Sequence, residues 1–228
     1  MTRGLFITGT DTNVGKTVLS AAVIHRCRGV APLRYWKPVQ TGISQDDDTA
    51  EVERLAALAA GEVLKNGYRF ADPVSPHLAA EREDNPVNVH RLNRMLEEGG
   101  GTEETRWIIE GAGGILVPLN RANTFAEFVS MQRIPAVIAA RSGLGTINHT
   151  LLTLEALRSR EIPVAGVVLI GEPNEDNAGI IGHMGKVPIL GQMPRFEPLT
   201  PQALEQWALE HFDPHGILKR FLLEYSPE

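Results

Sequence analysis

Along the 228-residue chain, short apolar runs bounded by turn residues alternate with stretches of helical periodicity. Leu5–Thr8, Arg34–Pro38, Trp107–Glu110, Pro135–Ala140, Val164–Ile170 and Pro188–Gln192 read as strands. Lys16–Arg28, Thr49–Ala60, Val87–Glu98, Phe125–Gln132, Ile147–Arg160 and Asp176–Met184 read as helices. Strands apolar on both faces and separated by helices predict an α/β fold: a mainly parallel central sheet flanked by helices, in three layers. Gly99-Gly100-Gly101 reads as a helix stop and loop, and Pro201–Phe212 and Pro214–Leu223 as two short amphipathic helices. No repeat or low-complexity linker divides the chain, so a single domain over residues 1–228 is expected.

Such sheets bind ligands beyond the carboxyl ends of their strands, so the polar residues after each strand should meet in one site. The first strand runs into Gly9-Thr10-Asp11-Thr12-Asn13-Val14-Gly15-Lys16-Thr17, which reads as a phosphate-binding loop of a P-loop NTPase-like fold. Backbone N–H groups at the helix start can surround phosphate oxygens, Lys16 adds positive charge, and the Thr17 hydroxyl can ligate Mg²⁺. Five residues rather than four separate Gly9 from Gly15, leaving Thr10 where the usual pattern has glycine. The loop is a variant.

The other strand ends carry Lys37-Pro38-Val39-Gln40-Thr41-Gly42, Glu110-Gly111-Ala112-Gly113-Gly114 and Arg141-Ser142-Gly143-Leu144-Gly145-Thr146-Ile147-Asn148. Lys37 opposite Lys16 would stabilise charge developing in phosphoryl transfer. Asp46-Asp47-Asp48 alone would be a solvated helix cap. Beside Thr17 and Glu110, however, Asp48 becomes a candidate Mg²⁺ ligand together with Glu110. The glycines after Glu110 are no dinucleotide fingerprint, because the third glycine would fall at Leu116.

Composition narrows the function. With 43% apolar and 22% charged residues the chain is an ordinary globular one, and a net charge of −6 argues against a nucleic-acid partner. One cysteine, Cys27, cannot form an internal disulfide and reads as a buried, inert thiol in a reducing, cytoplasmic setting. The run Ile134–Ala140 is too short to span a bilayer, so no membrane partner is expected, and Leu5-Phe6-Ile7 is too short for a signal-peptide core. His211 and His215 flank Pro214, which breaks the helix a metal pair would need. No Gly-x-Ser-x-Gly elbow supports serine hydrolase chemistry.

The loop at 9–17, Lys-Pro-Val-Gln-Thr-Gly at 37–42, Ser-Pro-His at 75–77, Glu-Gly-Ala-Gly-Gly at 110–114 and Leu-Gly-Thr-Ile-Asn-His at 144–149 resemble the dethiobiotin synthetase family over roughly residues 4–196. The offset phosphate loop is itself a trait of that family. The resemblance implies an ATP-dependent ligase of biotin biosynthesis that closes a cyclic urea on 7,8-diaminopelargonic acid with CO₂. A substrate carbamate attacks the γ-phosphate of the co-substrate ATP, and the second amine closes the ring and expels phosphate. By position, Asn13, Val14, Gly15, Lys16, Thr17, Val18, Glu110, Gly113, Pro194 and Phe196 would bind nucleotide, and Lys16 and Lys37 would be catalytic. Thr12, Lys37 and Thr41 would contact substrate, Thr17, Asp48 and Glu110 would hold Mg²⁺, and Gly145, Thr146 and Asn148 would bind the substrate carboxylate across a homodimer.

One departure concerns the base. Many members place an adenine-reading asparagine where this chain has Ile170, which predicts relaxed nucleotide preference. Asn13 likewise replaces a common acidic residue. The rival reading, a partition- or division-site ATPase, expects a signature lysine where this chain has Asp11. An amidotransferase-type cobyrinate synthase would need a catalytic cysteine that Cys27 is misplaced to supply.

Overall fold

The structure, a computed structural model, describes residues 2–225; Met1 and residues 226–228 of the expected domain lie outside the described residues. In chain order the strands are β1 (Gly4–Gly9), β2 (Leu33–Trp36), β3 (Val39–Gln40), β4 (Val63–Leu64), β5 (Tyr68–Arg69), β6 (Arg106–Gly114), β7 (Ala136–Arg141), β8 (Val164–Ile170) and β9 (Ile189–Met193). The helices are α1 (Lys16–Cys27), α2 (Asp48–Leu55), α3 (Pro76–Arg82), α4 (Val89–Glu98), α5 (Phe125–Gln132), α6 (Thr146–Arg158), α7 (Glu175–Gly185), α8 (Pro201–Glu210) and α9 (Ile217–Glu224). Seven strands form one sheet in the order β4-β2-β6-β1-β7-β8-β9, and each of their pairings is parallel. β3 and β5 make a separate parallel pair.

The alternation of side chains along a strand divides the core into two layers. Leu5 and Ile7 of β1 pack with Leu19, Val23, Val52, Leu204 and Leu222, which come from α1, α2, α8 and α9. Phe6 between them packs on the opposite face with Leu92, Phe125, Phe128, Leu154 and Ile181, from α4, α5, α6 and α7. Each fully buried side chain of this size contributes about 1.5–3 kcal/mol, so a one-residue slip of β1 would forfeit both layers together. That burial holds the strand ends in register at the site.

Several boundaries differ from the sequence expectation. β6 continues past Glu110 to Gly114, because the glycines let its backbone bulge alongside β1: Ile7 pairs with Glu110, but Gly9 pairs with Gly114. A Cβ on Gly111 would come within 2.8 Å of the Phe6 ring. β2 stops at Trp36, before Pro38, which has no N–H for a ladder. α2 stops at Leu55 rather than reaching Ala60, with Ala57 in the left-handed region at φ 48°. α3 and the two-residue strands β3, β4 and β5 went unpredicted, since such short pieces carry no readable period. Cys27 is buried at the end of α1, and desolvation pushes its thiol up to about 12. It is inert as a nucleophile.

Candidate active site

β1 leads directly into the phosphate loop, and α1 begins at Lys16. Gly15 sits at φ 103°, where any side chain would be strained, and Asn13 adopts φ 51°, which asparagine tolerates best after glycine. The displaced first glycine has a steric cause. A Cβ on Gly9 would stand 2.7 Å from Val14 Cγ1, 2.8 Å from the Asp11 carbonyl and 3.3 Å from Lys16 Cδ. The loop folds back over Gly9, so glycine is required there and not at Thr10. Lys16 Nζ donates to the Asp11 carbonyl at 3.1 Å. From the end of β7, Arg141 Nη2 donates to Asp11 Oδ2 at 3.2 Å and to the Thr12 carbonyl at 3.1 Å.

Register brings the second cluster together. Ile7 lies beside Glu110, and Trp36 beside Ile109, so Lys37, one step past β2, falls against Glu110. Lys37 Nζ is 2.5 Å from Asp48 Oδ2 and 2.8 Å from Glu110 Oε1. Thr17 Oγ1 lies 2.9 Å from Asp48 Oδ1 and 3.0 Å from Glu110 Oε1. The other oxygen of Glu110, Oε2, is 2.9 Å from both Ser20 Oγ and Tyr35 Oη. Glu110 has no exposed surface, and every one of these neighbours can donate to it. Asp47 and Asp48 divide the labour at the start of α2: Asp47 caps the helix by accepting from Ala50 N at 3.1 Å, and Asp48 turns to Lys37.

The electrostatics follow from this packing. Burial, reinforced by the charge of Lys37, lowers the Lys16 ammonium to about 8. Burial also opposes charge on Lys37, but the carboxylates of Glu110 and Asp48 outweigh it and hold that ammonium above its ordinary value. Burial would raise Asp48, yet Lys37 and the Thr17 hydroxyl bring it below the usual carboxylate range. Tyr35 is pushed well up by burial and by the Glu110 charge, so it stays a protonated donor.

The donor set suits a hard divalent cation. Thr17 has a single hydroxyl proton, yet its oxygen lies within 3.0 Å of two carboxylate oxygens, and a second cation beside them relieves that crowding. Among the described residues no group of three His, Cys, Asp or Glu side chains gathers, so the protein offers two carboxylates and a hydroxyl. That partial set leaves positions for water and phosphate oxygens, as Mg²⁺ prefers.

Two adjoining cavities lie at this edge of the sheet. One, of about 320 Å³, is lined by Thr12, Asn13, Gly15, Lys16, Thr17, Val18, Lys37, Gln40, Thr41, Asp48, Glu110, Ala112 and Gly113. The other, of about 600 Å³, shares Asn13, Gly15 and Val18 and adds Val14, Ile170, Pro194 and Phe196 among its walls. Thus the residues expected to bind nucleotide and Mg²⁺, with Thr12 and Thr41, come together. Gly145, Thr146 and Asn148 line neither cavity. They lie at the start of α6, where Gly145 and Asn148 are exposed and Thr146 is buried. Ser20, Tyr35, Gln40 and Arg141 were missed by sequence reasoning. Ser20 left a signal, being four residues after Lys16 and so on the same helix face, and Gln40 and Arg141 stood in the strand-end stretches without being given a role.

A family profile described as an AAA domain matches residues 3–203. The chain is 45% identical over 215 residues to the ATP-dependent dethiobiotin synthetase of Brucella melitensis biotype 2, covering 93% of this chain and 95% of the relative. It is 44% identical to the protein of the same name from Agrobacterium fabrum, over 91% of this chain and 93% of that one. The chain belongs to the dethiobiotin synthetase family. The solved structures it resembles fix the fold alone. A ParA family ATPase from Chlorobium tepidum superposes with a TM-score of 0.54 at 12% identity, covering 97% of this chain and 98% of that one. The MinC:MinD cell division complex of Aquifex aeolicus gives 0.57 at 13% identity, with coverages of 99% and 98%. This chain thus shares its fold with these two structures, and it carries Asp11, tied to Arg141, at the position where a partition- or division-site ATPase was expected to carry lysine.

Proposed function

We propose that this chain is a dethiobiotin synthase that converts 7,8-diaminopelargonic acid, CO₂ and ATP into dethiobiotin, ADP and phosphate. The observation that carries the reading is the convergence of Lys16, Lys37, Thr17, Asp48 and Glu110 on one cavity in a chain 45% identical to named dethiobiotin synthetases. One amine of the diamine takes up CO₂ and loses a proton, giving a carbamate. A carbamate oxygen attacks the γ-phosphorus as the bond to the bridging oxygen breaks, and ADP leaves. The second amine then attacks the carbamic carbon of the mixed anhydride, releases a proton and expels phosphate, closing the cyclic urea.

The protein's part is to position and neutralise. The loop N–H groups and Lys16 hold the phosphates, and Lys37, Thr12 and Thr41 face the carbamate across the same cavity. Thr17, Asp48 and Glu110 would hold Mg²⁺, which when bound supplies charge neutralisation at the phosphates. Ser20 and Tyr35 keep the Glu110 carboxylate oriented. The base occupies the second cavity, against Val14, Val18, Pro194 and Phe196.

Ile170 supports a relaxed base preference. Its side chain packs on the phosphate loop, Cδ1 lying 3.1 Å from where a Cβ on Gly15 would stand, so the end of β8 offers the base an apolar wall and no amide. A homodimer is supported by α6. Leu144 is fully exposed before its start and Leu152 is 55% exposed within it, at four-residue spacing from Asn148. That stripe would bring Gly145, Thr146 and Asn148 of one subunit to the substrate carboxylate of the other. No helix among the described residues is long and apolar enough to cross a membrane. The reading is of a cytoplasmic enzyme working as a single domain.

The test is phosphate release from Mg·ATP with bicarbonate and the diamine, with the product weighed by mass spectrometry. Diamine-dependent release and a cyclic urea product are expected. Hydrolysis indifferent to the diamine, with no cyclic urea, would sink the assignment.

A further inference from the structure

The Lys37 ammonium lies between Asp48 and Glu110. Its Nζ touches Asp48 Oδ2 at 2.5 Å, Glu110 Oε1 at 2.8 Å and the Gly111 carbonyl at 3.5 Å, so all three N–H groups are engaged. Two of those partners are the carboxylates proposed above as Mg²⁺ ligands. Mg²⁺ draws carboxylate oxygens to about 2.0–2.1 Å, and a dication and an ammonium cannot share the same oxygens without strong repulsion in a buried site. Lys37 is 2% exposed and Glu110 has no exposure, so solvent does little to screen them.

We propose that Lys37 is the resident counter-ion of the metal site, and that it gives up Asp48 and Glu110 Oε1 to a divalent cation only when a phosphate chain arrives to receive its charge. This rests on the assignment of Thr17, Asp48 and Glu110 to the metal. The Thr17 hydroxyl and the anchored Glu110 stay in place, because Glu110 Oε2 is held by Ser20 and Tyr35 while Oε1 is shared between Thr17 and Lys37. Asp48, one-third exposed at the start of α2, is the first partner to change hands, and Glu110 Oε1 follows without its carboxylate moving. The exchange links metal loading to the freeing of the lysine that the reaction needs. Without nucleotide, a bare cation must displace a buried ammonium that has nowhere to go, which makes metal binding depend on nucleotide.

Mn²⁺ serves as the probe, titrated into nucleotide-free protein at pH 8 and followed by electron paramagnetic resonance. The wild type should bind bare Mn²⁺ with a dissociation constant weaker than about 0.1 mM, within the range of weak protein-bound divalent cations. Lys37→Met, which keeps the bulk and removes the charge, should bind it at least about tenfold more tightly, while Lys37→Arg should stay weak. A Lys37→Met protein that gains no affinity overturns the exchange, as does a wild type that binds bare Mn²⁺ more tightly than that limit. The wild-type titration decides alone if Lys37→Met does not fold. Absence of Mn²⁺ from the protein even with ATP present would overturn the metal site itself, a separate failure.

Discussion

Lys37 Nζ lies 2.8 Å from Glu110 Oε1 although 73 positions separate the two residues. The parallel pairing of β2 with β6 creates the contact, since it sets both residues at the same height on the carboxyl edge of the sheet. A buried lysine on a buried carboxylate is costly to assemble, and the pair lines the cavity beside Lys16 and Thr17, as the proposed chemistry requires. Lys37→Ala should therefore leave the far-ultraviolet circular dichroism spectrum intact, because Glu110 keeps the hydroxyls of Thr17, Ser20 and Tyr35. Turnover should fall by about 10²–10³-fold, the usual cost of one donor to developing charge. Unchanged turnover would reduce Lys37 to a structural ion pair.

Nucleotide affinity should depend on pH through Lys16. The free protein holds this ammonium at about 8, and bound phosphates raise that value, so the complex carries more protons than the free protein. Affinity is then full below pH 8 and declines as pH rises above it. Calorimetry at pH 8 in two buffers of different ionisation enthalpy should report net proton uptake on nucleotide binding. Proton release would contradict the assignment.

Tyr35→Phe removes one donor from Glu110 Oε2 without opening a cavity. A hydrogen bond to a charged group contributes about 1.5–3 kcal/mol, and urea unfolding should show a loss in that range. A purely structural tyrosine would change stability alone. The loosened carboxylate should also raise the KM for Mg·ATP several-fold while the KM for the diamine stays put.

Wild-type turnover with CTP should be comparable to that with ATP, given the apolar wall at Ile170. Ile170→Asn restores an amide at the end of β8, and the ratio of kcat/KM for ATP over CTP should rise by at least about tenfold. A strong ATP preference already present in the wild type would show that the backbone or Pro194 reads the base instead.

Leu152→Glu places a charge in the exposed apolar stripe of α6. Sedimentation should show a dimer for the wild type and a monomer for the variant, with a raised KM for the diamine and unchanged nucleotide binding. A wild-type monomer with full activity would remove the need for a second subunit.

The sequence by itself determined the sheet and its phosphate loop, because apolar runs and helical periods are local signals and a glycine-lysine-threonine turn between them has few other uses. It also put Lys37, Asp48 and Glu110 on the list of site residues, through the rule that strand ends converge. It ended β6 at Glu110, since Gly111–Gly114 look like a turn until pairing of Gly114 with Gly9 of β1 carries the strand on through a bulge, with Gly113 at φ 68°. Only the tertiary structure decided which acidic residue of Asp46–Asp48 faces the lysine, since Asp47 and Asp48 differ by a turn of the chain and not by chemistry. Tyr35, Ser20 and Arg141 likewise acquired meaning from partners 75, 90 and 130 positions away. Even the displaced Gly9 needed three dimensions, because what forbids a side chain there is Val14 and the Asp11 carbonyl folding back on it. Local patterns write the elements; contacts between distant strand ends, set by register and burial, choose the atoms that meet.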